Sequence, residues 1–170
     1  GNCLSSGNAT IVYNPEWHKG VVGIVASRLV EAFYKPTIVF TKSQEGLVTG
    51  SARSVHGFDL YDAIESCSDL LENFGGHLYA AGLTLKEENL PAFCERIEKS
   101  ISGTIIPEMQ TPVVDVDAKL NFSQITPKFL RILKQFQPFG PGNTAPVFLT
   151  ENVYDNGMGR KVGAEGGHLK

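Results

Sequence analysis

Three short runs in this chain combine cations, hydroxyls and glycines in ways suited to gripping an oxyanion. In Trp17-His18-Lys19-Gly20-Val21-Val22-Gly23, a His and a Lys stand at the opening of an apolar-periodic segment. Unpaired backbone N–H groups at such a helix start bind anions. The same run also reads as a tight strand-to-helix turn whose Trp17 packs on the core. In Thr49-Gly50-Ser51-Ala52-Arg53-Ser54, the two-residue period of a strand puts Thr49, Ser51 and Arg53 on one face and Val48, Gly50 and Ala52 on the other. The first face presents two hydroxyls and a guanidinium, donors that pair with phosphate oxygens. The small residues opposite let a helix pack closely. An ordinary solvated strand face is the alternative. The third run is Gly75-Gly76-His77, followed by Leu78-Tyr79-Ala80-Ala81-Gly82. Paired glycines can expose backbone N–H groups as an anion-holding nest, and His77 can donate to a phosphate or act as an acid. Ala80, Ala81 and Gly82 let a short helix or turn sit tightly under that site. A Gly-Gly turn with an incidental exposed His is the competing reading.

Metal chemistry finds little support. The four histidines, His18, His56, His77 and His168, are scattered, and the carboxylates Asp115 and Asp117 share a predicted strand face that reads as a solvated edge. No metal ligands are expected in this chain.

The elements that must position these runs follow from periodicity. Ala9 to Tyr13 is β-branched and aromatic and reads as a strand ended by Asn14-Pro15. Val22, Val25, Ala26, Leu29, Val30 and Phe33 recur at three- and four-residue steps, so Gly20 to Tyr34 is an amphipathic helix stopped by Pro36. Thr37 to Phe40 and Leu47 to Arg53 are strands. Asp59 caps a helix through Ile64, with Asp62 favouring its positive end. A further helical stretch ends near Asn73, Leu83 to Leu85 is a strand, and Glu87 to Ile101 is a closing helix with Leu90, Phe93, Cys94 and Ile97 on one face. Strands alternating with helices describe an α/β domain over residues 1–103. Residues 104–111, with Pro107, read as a linker. Over residues 112–170 the texture changes: Val113 to Leu120 alternates, Ile125 to Phe136 is helical, Pro138 to Gly142 is a rigid turn, and Val147 to Tyr154 is strand-like.

Composition bounds the partners. With 42% hydrophobic and 19% charged residues, the chain is an ordinary globular protein, and no apolar run reaches membrane-spanning length. No leader peptide and no membrane association are expected. Three cysteines at no metal-like spacing (Cys3, Cys67, Cys94) read as structural thiols in a reducing cytoplasm. The formal net charge of −3 does not suit a protein that coats nucleic acid, so any such contact comes from a local site gripping a few phosphates.

The runs Trp17 to Leu29, Gly50 to Ser54 and Phe74 to Leu85, in that order, together resemble the DHH-associated domain of RecJ exonucleases. Phe136 to Asn143 followed by Pro146-Val147-Phe148 resembles the start of the RecJ oligonucleotide-binding (OB) barrel. The resemblance implies a mixed sheet flanked by helices, then an OB-like segment that is expected to be cut short at Lys170. It implies a 5′ to 3′ exonuclease on single-stranded DNA in repair and recombination. Two Mn²⁺ or Mg²⁺ ions would be held by a separate amino-terminal DHH domain, so this portion alone would cleave nothing. Ser51 and Arg53 would hold backbone phosphates. Gly75, Gly76 and His77 would lie near the scissile one, with His77 the one candidate catalytic group and His18 close by. Phe122, Phe139, Phe148 and Tyr154 are candidates either for base stacking or for the core of the second unit. Two other readings share parts of the pattern. One is a relative acting on oligoribonucleotides or cyclic dinucleotides, which usually ends soon after the Gly-Gly-His module. The other is a non-catalytic nucleic-acid-binding module like that of alanyl-tRNA synthetases.

Overall fold

Alternating hydrophobic residues build the sheet that carries all three runs. The computed structural model describes residues 7–44, 46–140, 142–154, 157 and 159–162, and the backbone of 2–5 and 168–169. In chain order the elements of the first unit are β1 (Asn2–Ser5), β2 (Thr10–Tyr13), α1 (Val22–Phe33), β3 (Thr37–Gln44), β4 (Leu47–Arg53), α2 (Leu60–Glu65), β5 (Leu71–His77), β6 (Ala80–Lys86) and α3 (Leu90–Thr104). The strands form one six-stranded sheet in the order β1-β2-β3-β4-β6-β5. Only β2 and β3 run parallel, joined by the crossover helix α1, and every other pair is antiparallel. The expected mixed sheet with flanking helices is therefore present.

Alternation decides which helix meets which face. Ile38, Phe40, Val48, Ala52, Leu83 and Leu85 point to one side and bury Leu60 and Ile64 of α2 with Phe93 and Ile97 of α3. Phe40 and Phe93 meet edge to face, with ring centroids 5.8 Å apart. Val39 points to the other side, where Val22 and Ala26 of α1 cover it and Trp17 and Leu29 pack alongside. The α2 start follows the capping rule: the Asp59 carboxylate accepts from the backbone N–H groups of Tyr61 and Asp62.

Three sequence expectations change here. The stretch before Asn73 is not helical; Ser68–Leu70 is a single 3₁₀ turn and Leu71–His77 is an edge strand. The reason is a β-bulge between Leu71 and Asn73. It brings Leu71 and Phe74 opposite Leu85 and Leu83, so residues three apart share the core face and imitate helical spacing. Ala80, Ala81 and Gly82 belong to β6, not to a helix or turn under the site. The small residues of β4 do not admit a helix either. A methyl on Gly50 would lie 2.5 Å from Phe40 Cε1, so that gap is filled by a neighbouring strand's ring.

The chain divides into two units, Gly1–Val113 and Val114–Lys170. Residues 104–111, read as a linker, close the first unit: Ile105 and Met109 pack against its core and Gln110 donates to Asn8. The second unit holds β7 (Ala118–Lys119), α4 (Pro127–Lys134), β8 (Phe148–Leu149), β9 (Lys161–Val162) and β10 (His168–Leu169). The strand-like segments expected at Val113 to Leu120 and Val147 to Tyr154 shrink to β7 and β8, two residues each and parallel, while β9 pairs antiparallel with β10. Val113, Val114 and Val116 stay exposed, so the apolar-polar alternation there does not bury a face. Thr126 caps α4 by accepting from Phe129 N–H, with Pro127 in its first turn. The turn after α4 contains a cis Gln137-Pro138 bond and is held by Asn143, which donates to the carbonyls of Phe136 and Pro138. Pro141 of this turn, and Cys3 and His168 as side chains, lie outside the described residues.

Candidate phosphate-binding face

Cross-strand register assembles the site on the α1 side of the sheet. Ser51 is paired with Gly82 and Gly82 with Gly75; Arg53 is paired with Ala80 and Ala80 with His77. Paired residues share a face, so Ser51, Arg53, Gly75 and His77 all point the same way. Arg53 and His77 are separated by two strand spacings, about 10 Å. Between them stands only the methyl group of Ala80, and in the neighbouring row beside Ser51 Gly82 and Gly75 raise no side chain; a methyl group added at either glycine would meet nothing within 4 Å.

Arg53 Nη1 donates to Ser51 Oγ at 3.0 Å and to the Ala52 carbonyl at 2.8 Å. Two bonds fix the plane of the guanidinium. The Ser51 hydroxyl, having accepted from Arg53, keeps its own proton to donate. Arg and Ser thus form one preorganised donor pair, both half-buried.

The Gly75-Gly76-His77 run departs from its expected form. It is no nest or turn but the end of β5; the two-residue connection is Leu78-Tyr79. Of its glycines only Gly76 is required by the backbone. Its φ is +152°, and a methyl there would lie 2.2 Å from the Ala80 carbonyl oxygen. Leu78 O accepts from Leu60 N–H and Tyr79 O from Ser54 N–H, tying the hairpin tip to the start of α2 and the end of β4. His77 Nδ1 accepts the Tyr79 N–H at 3.3 Å. An accepting Nδ1 leaves the proton of a neutral ring on Nε2, where it can be donated, and the residue is exposed.

His18 repeats that arrangement at the foot of α1, with Nδ1 accepting the Gly20 N–H at 3.1 Å. Its ring folds back over Gly20. It does not line the cleft of about 430 Å³ that Lys19, Gly20, Gly23, Ser43, Thr49 and Ser51 enclose. The Trp17 side of the run behaves as its bland reading required, packing beside Val22 and Ala26. Val21, the N-cap of α1, supplies no side-chain acceptor, so the first N–H groups of the helix keep their donor capacity.

Gly23, the last residue of the first run, lies against Ser51 and Arg53 from α1. One contributor escaped the sequence reading: Ser43 enters the cleft because β3 runs past Phe40 to Gln44. The alternation Val39, Thr41, Ser43 was the available signal.

Among the described residues no three His, Cys, Asp or Glu side chains converge as a metal site. Asp115 and Asp117 do not share a strand. Asp115 is in an irregular segment, while the Asp117 carboxylate accepts the Val147 N–H at 2.8 Å and so has a structural task. In the second unit Phe139 and Phe148 line an apolar groove of about 300 Å³ along α4, and Phe122 and Tyr154 are exposed. No helix is long and apolar enough to cross a membrane among the described residues.

Comparison with known proteins agrees with this division. Residues 6–103 match the DHHA1 domain and residues 116–170 match the RecJ OB domain. The chain is 40% identical over 163 residues to the single-stranded-DNA-specific exonuclease RecJ of Bacillus subtilis, covering 95% of this chain and 21% of that protein. It is 36% identical over 141 residues to RecJ of Escherichia coli, covering 81% of this chain and 24% of that protein. Among solved structures, RecJ of Thermus thermophilus in complex with Mn²⁺ superposes with a TM-score of 0.72 at 34% identity, covering 91% of this chain and 23% of that one. The chain thus spans about a fifth to a quarter of the length of these relatives.

Proposed function

From the fact that this chain belongs to the DHHA1 domain family and carries a RecJ OB domain behind it, we propose that it is the substrate-holding part of a RecJ-like exonuclease acting 5′ to 3′ on single-stranded DNA. The cell would use it in the cytoplasm for DNA repair and recombination. The observation that carries the reading is the donor face: the bonded Ser51–Arg53 pair and His77 on one open side of the sheet. A local cluster of this kind grips the backbone of a strand although the chain is acidic overall.

In this reading Arg53 and the Ser51 hydroxyl hold one phosphate, and His77 Nε2–H faces a phosphate oxygen from the other side of the glycine floor. His18 stands at the foot of α1 as an additional donor. Gly75 keeps the floor low enough for the strand to approach, and Gly76 sets the path of β5 that aims His77. In this reading the two Mg²⁺ or Mn²⁺ ions that activate water in such hydrolysis are held by a separate amino-terminal DHH domain.

The test is degradation of a single-stranded oligonucleotide with Mn²⁺ present. The full-length protein should degrade it and Arg53→Ala should bind it more weakly, whereas the 170-residue chain alone should leave it intact. Unchanged binding and turnover in Arg53→Ala would overturn the role given to this face, and cleavage by the short chain would overturn the placement of the chemistry.

A further inference from the structure

The cleft beside the Ser51–Arg53 pair has no role in that reading. It is enclosed by Lys19 and Gly20 before α1, Gly23 within it, and Ser43, Thr49 and Ser51 from the sheet. Its polar lining carries one cation and three hydroxyls, and no carboxylate. The side chains of Lys19 and Ser43 are exposed and make no hydrogen bond or ion pair with the described residues. Ser43 falls at the register shift between Lys42 and Gln44, a β-bulge of the kind that re-aims a side chain. Thr49 and Ser51 share a face of β4 two residues apart, which separates them by about 7 Å. That step is comparable to the distance between successive phosphates of an extended single strand.

We infer that Lys19 and Ser43, beside Thr49, form a second phosphate subsite, one nucleotide along from Ser51 and Arg53. The inference rests on the substrate-holding reading above and gives the bound strand a direction, along β4 towards Leu47. Lys19 supplies the charge and Ser43 the hydroxyl donor, Thr49, whose own hydroxyl donates to the Leu83 carbonyl at 3.3 Å, forms the wall between them, and Ser51 borders both subsites. Gly20 and Gly23 leave the α1 wall without bulk where the backbone passes.

The experiment uses the full-length protein with Lys19→Gln/Ser43→Ala, both exposed positions, and Arg53→Ala. Affinities are measured for thymidine 5′-monophosphate and for an oligothymidylate of about ten nucleotides across a salt series. The double variant should weaken oligothymidylate binding about tenfold, and its plot of log affinity against log salt should be shallower by about 0.7, the share of one phosphate on a single strand. Its affinity for the monophosphate should stay at the wild-type value, while Arg53→Ala weakens both ligands. If Arg53→Ala weakens binding but the double variant matches wild type on the oligothymidylate, the second subsite is overturned and the first stands. Equal weakening of both ligands by the double variant also overturns it, because the cleft would then serve the first phosphate. If Arg53→Ala changes neither ligand, the substrate-holding reading itself fails.

Discussion

Gly23 of α1 lies directly on Arg53 of β4: a methyl group built on that glycine would stand 3.1 Å from Arg53 Nη2 and 3.2 Å from Ser51 Oγ. The helix therefore clamps the donor pair in addition to covering Val39. A β-branched residue at this position has no room unless the guanidinium leaves its bonds to Ser51 and Ala52. Gly23→Val should weaken single-strand binding by about 1.5–3 kcal/mol, the range for a hydrogen bond to a charged group. Thermal melting of the same variant should change little, because Val is no worse a helix former than Gly. Wild-type affinity in an oligonucleotide titration would show that the clamp is dispensable.

Charge alone does not explain Arg53. Its Nη1 spans two acceptors, a geometry that an ammonium on a flexible stem cannot reproduce. Arg53→Lys should keep the salt dependence of binding and still lose affinity. Arg53→Ala should lose affinity and flatten the salt dependence by about one phosphate. Full affinity in the Lys variant would mean that only the positive charge matters.

The paired glycines of β5 should separate cleanly in melting experiments. At Gly76 an added methyl meets the Ala80 carbonyl oxygen and Cα of Ala81, at a φ of +152°. Gly76→Ala should cost about 1–3 kcal/mol of stability. At Gly75 the added methyl meets nothing within 4 Å, so Gly75→Ala should melt near wild type. Similar melting of the two variants would contradict the backbone described here.

Cys67 and Cys94 are buried free thiols, and burial pushes the Cys94 pKa up to about 11 from an ordinary value near 9. The folded state therefore holds its proton more tightly than the unfolded state. The stabilisation is complete below about pH 9 and declines as pH rises towards 11. Cys94→Ala should flatten the fall of stability over that interval. At pH 8 neither thiol should react with a disulfide reagent until the protein unfolds. Rapid labelling of Cys94 in the native protein would be incompatible with this burial.

Much of the first unit was readable because local and tertiary preferences agree in it. The period of Val22, Ala26 and Leu29 places α1, the alternation from Leu47 to Arg53 places β4 with its observed ends, and Asp59 caps α2 as its side chain predicts. Where they disagree the reading failed. Leu71 and Phe74 have helical spacing, yet a bulge in an edge strand puts both on the core face. Around the start of the second unit Val114 and Val116 alternate with Asp115 and Asp117 but remain exposed, so alternation there marks no buried face.

By itself the sequence determined where the runs proposed to hold phosphate lie: Ser51 and Arg53 on one strand face, the Gly-Gly-His run after Phe74, and the helix opening at His18 and Lys19. Those are properties of residue type and short spacing. Only the tertiary structure decided that Ala80, paired with both, brings His77 onto the face of Arg53, that α1 rather than α2 or α3 rests on the donor pair, and that Ser43 enters the cleft beside it. Cross-strand register and the side of the sheet on which a helix packs are set by burying one face against a partner distant in sequence, and short spacings do not encode them.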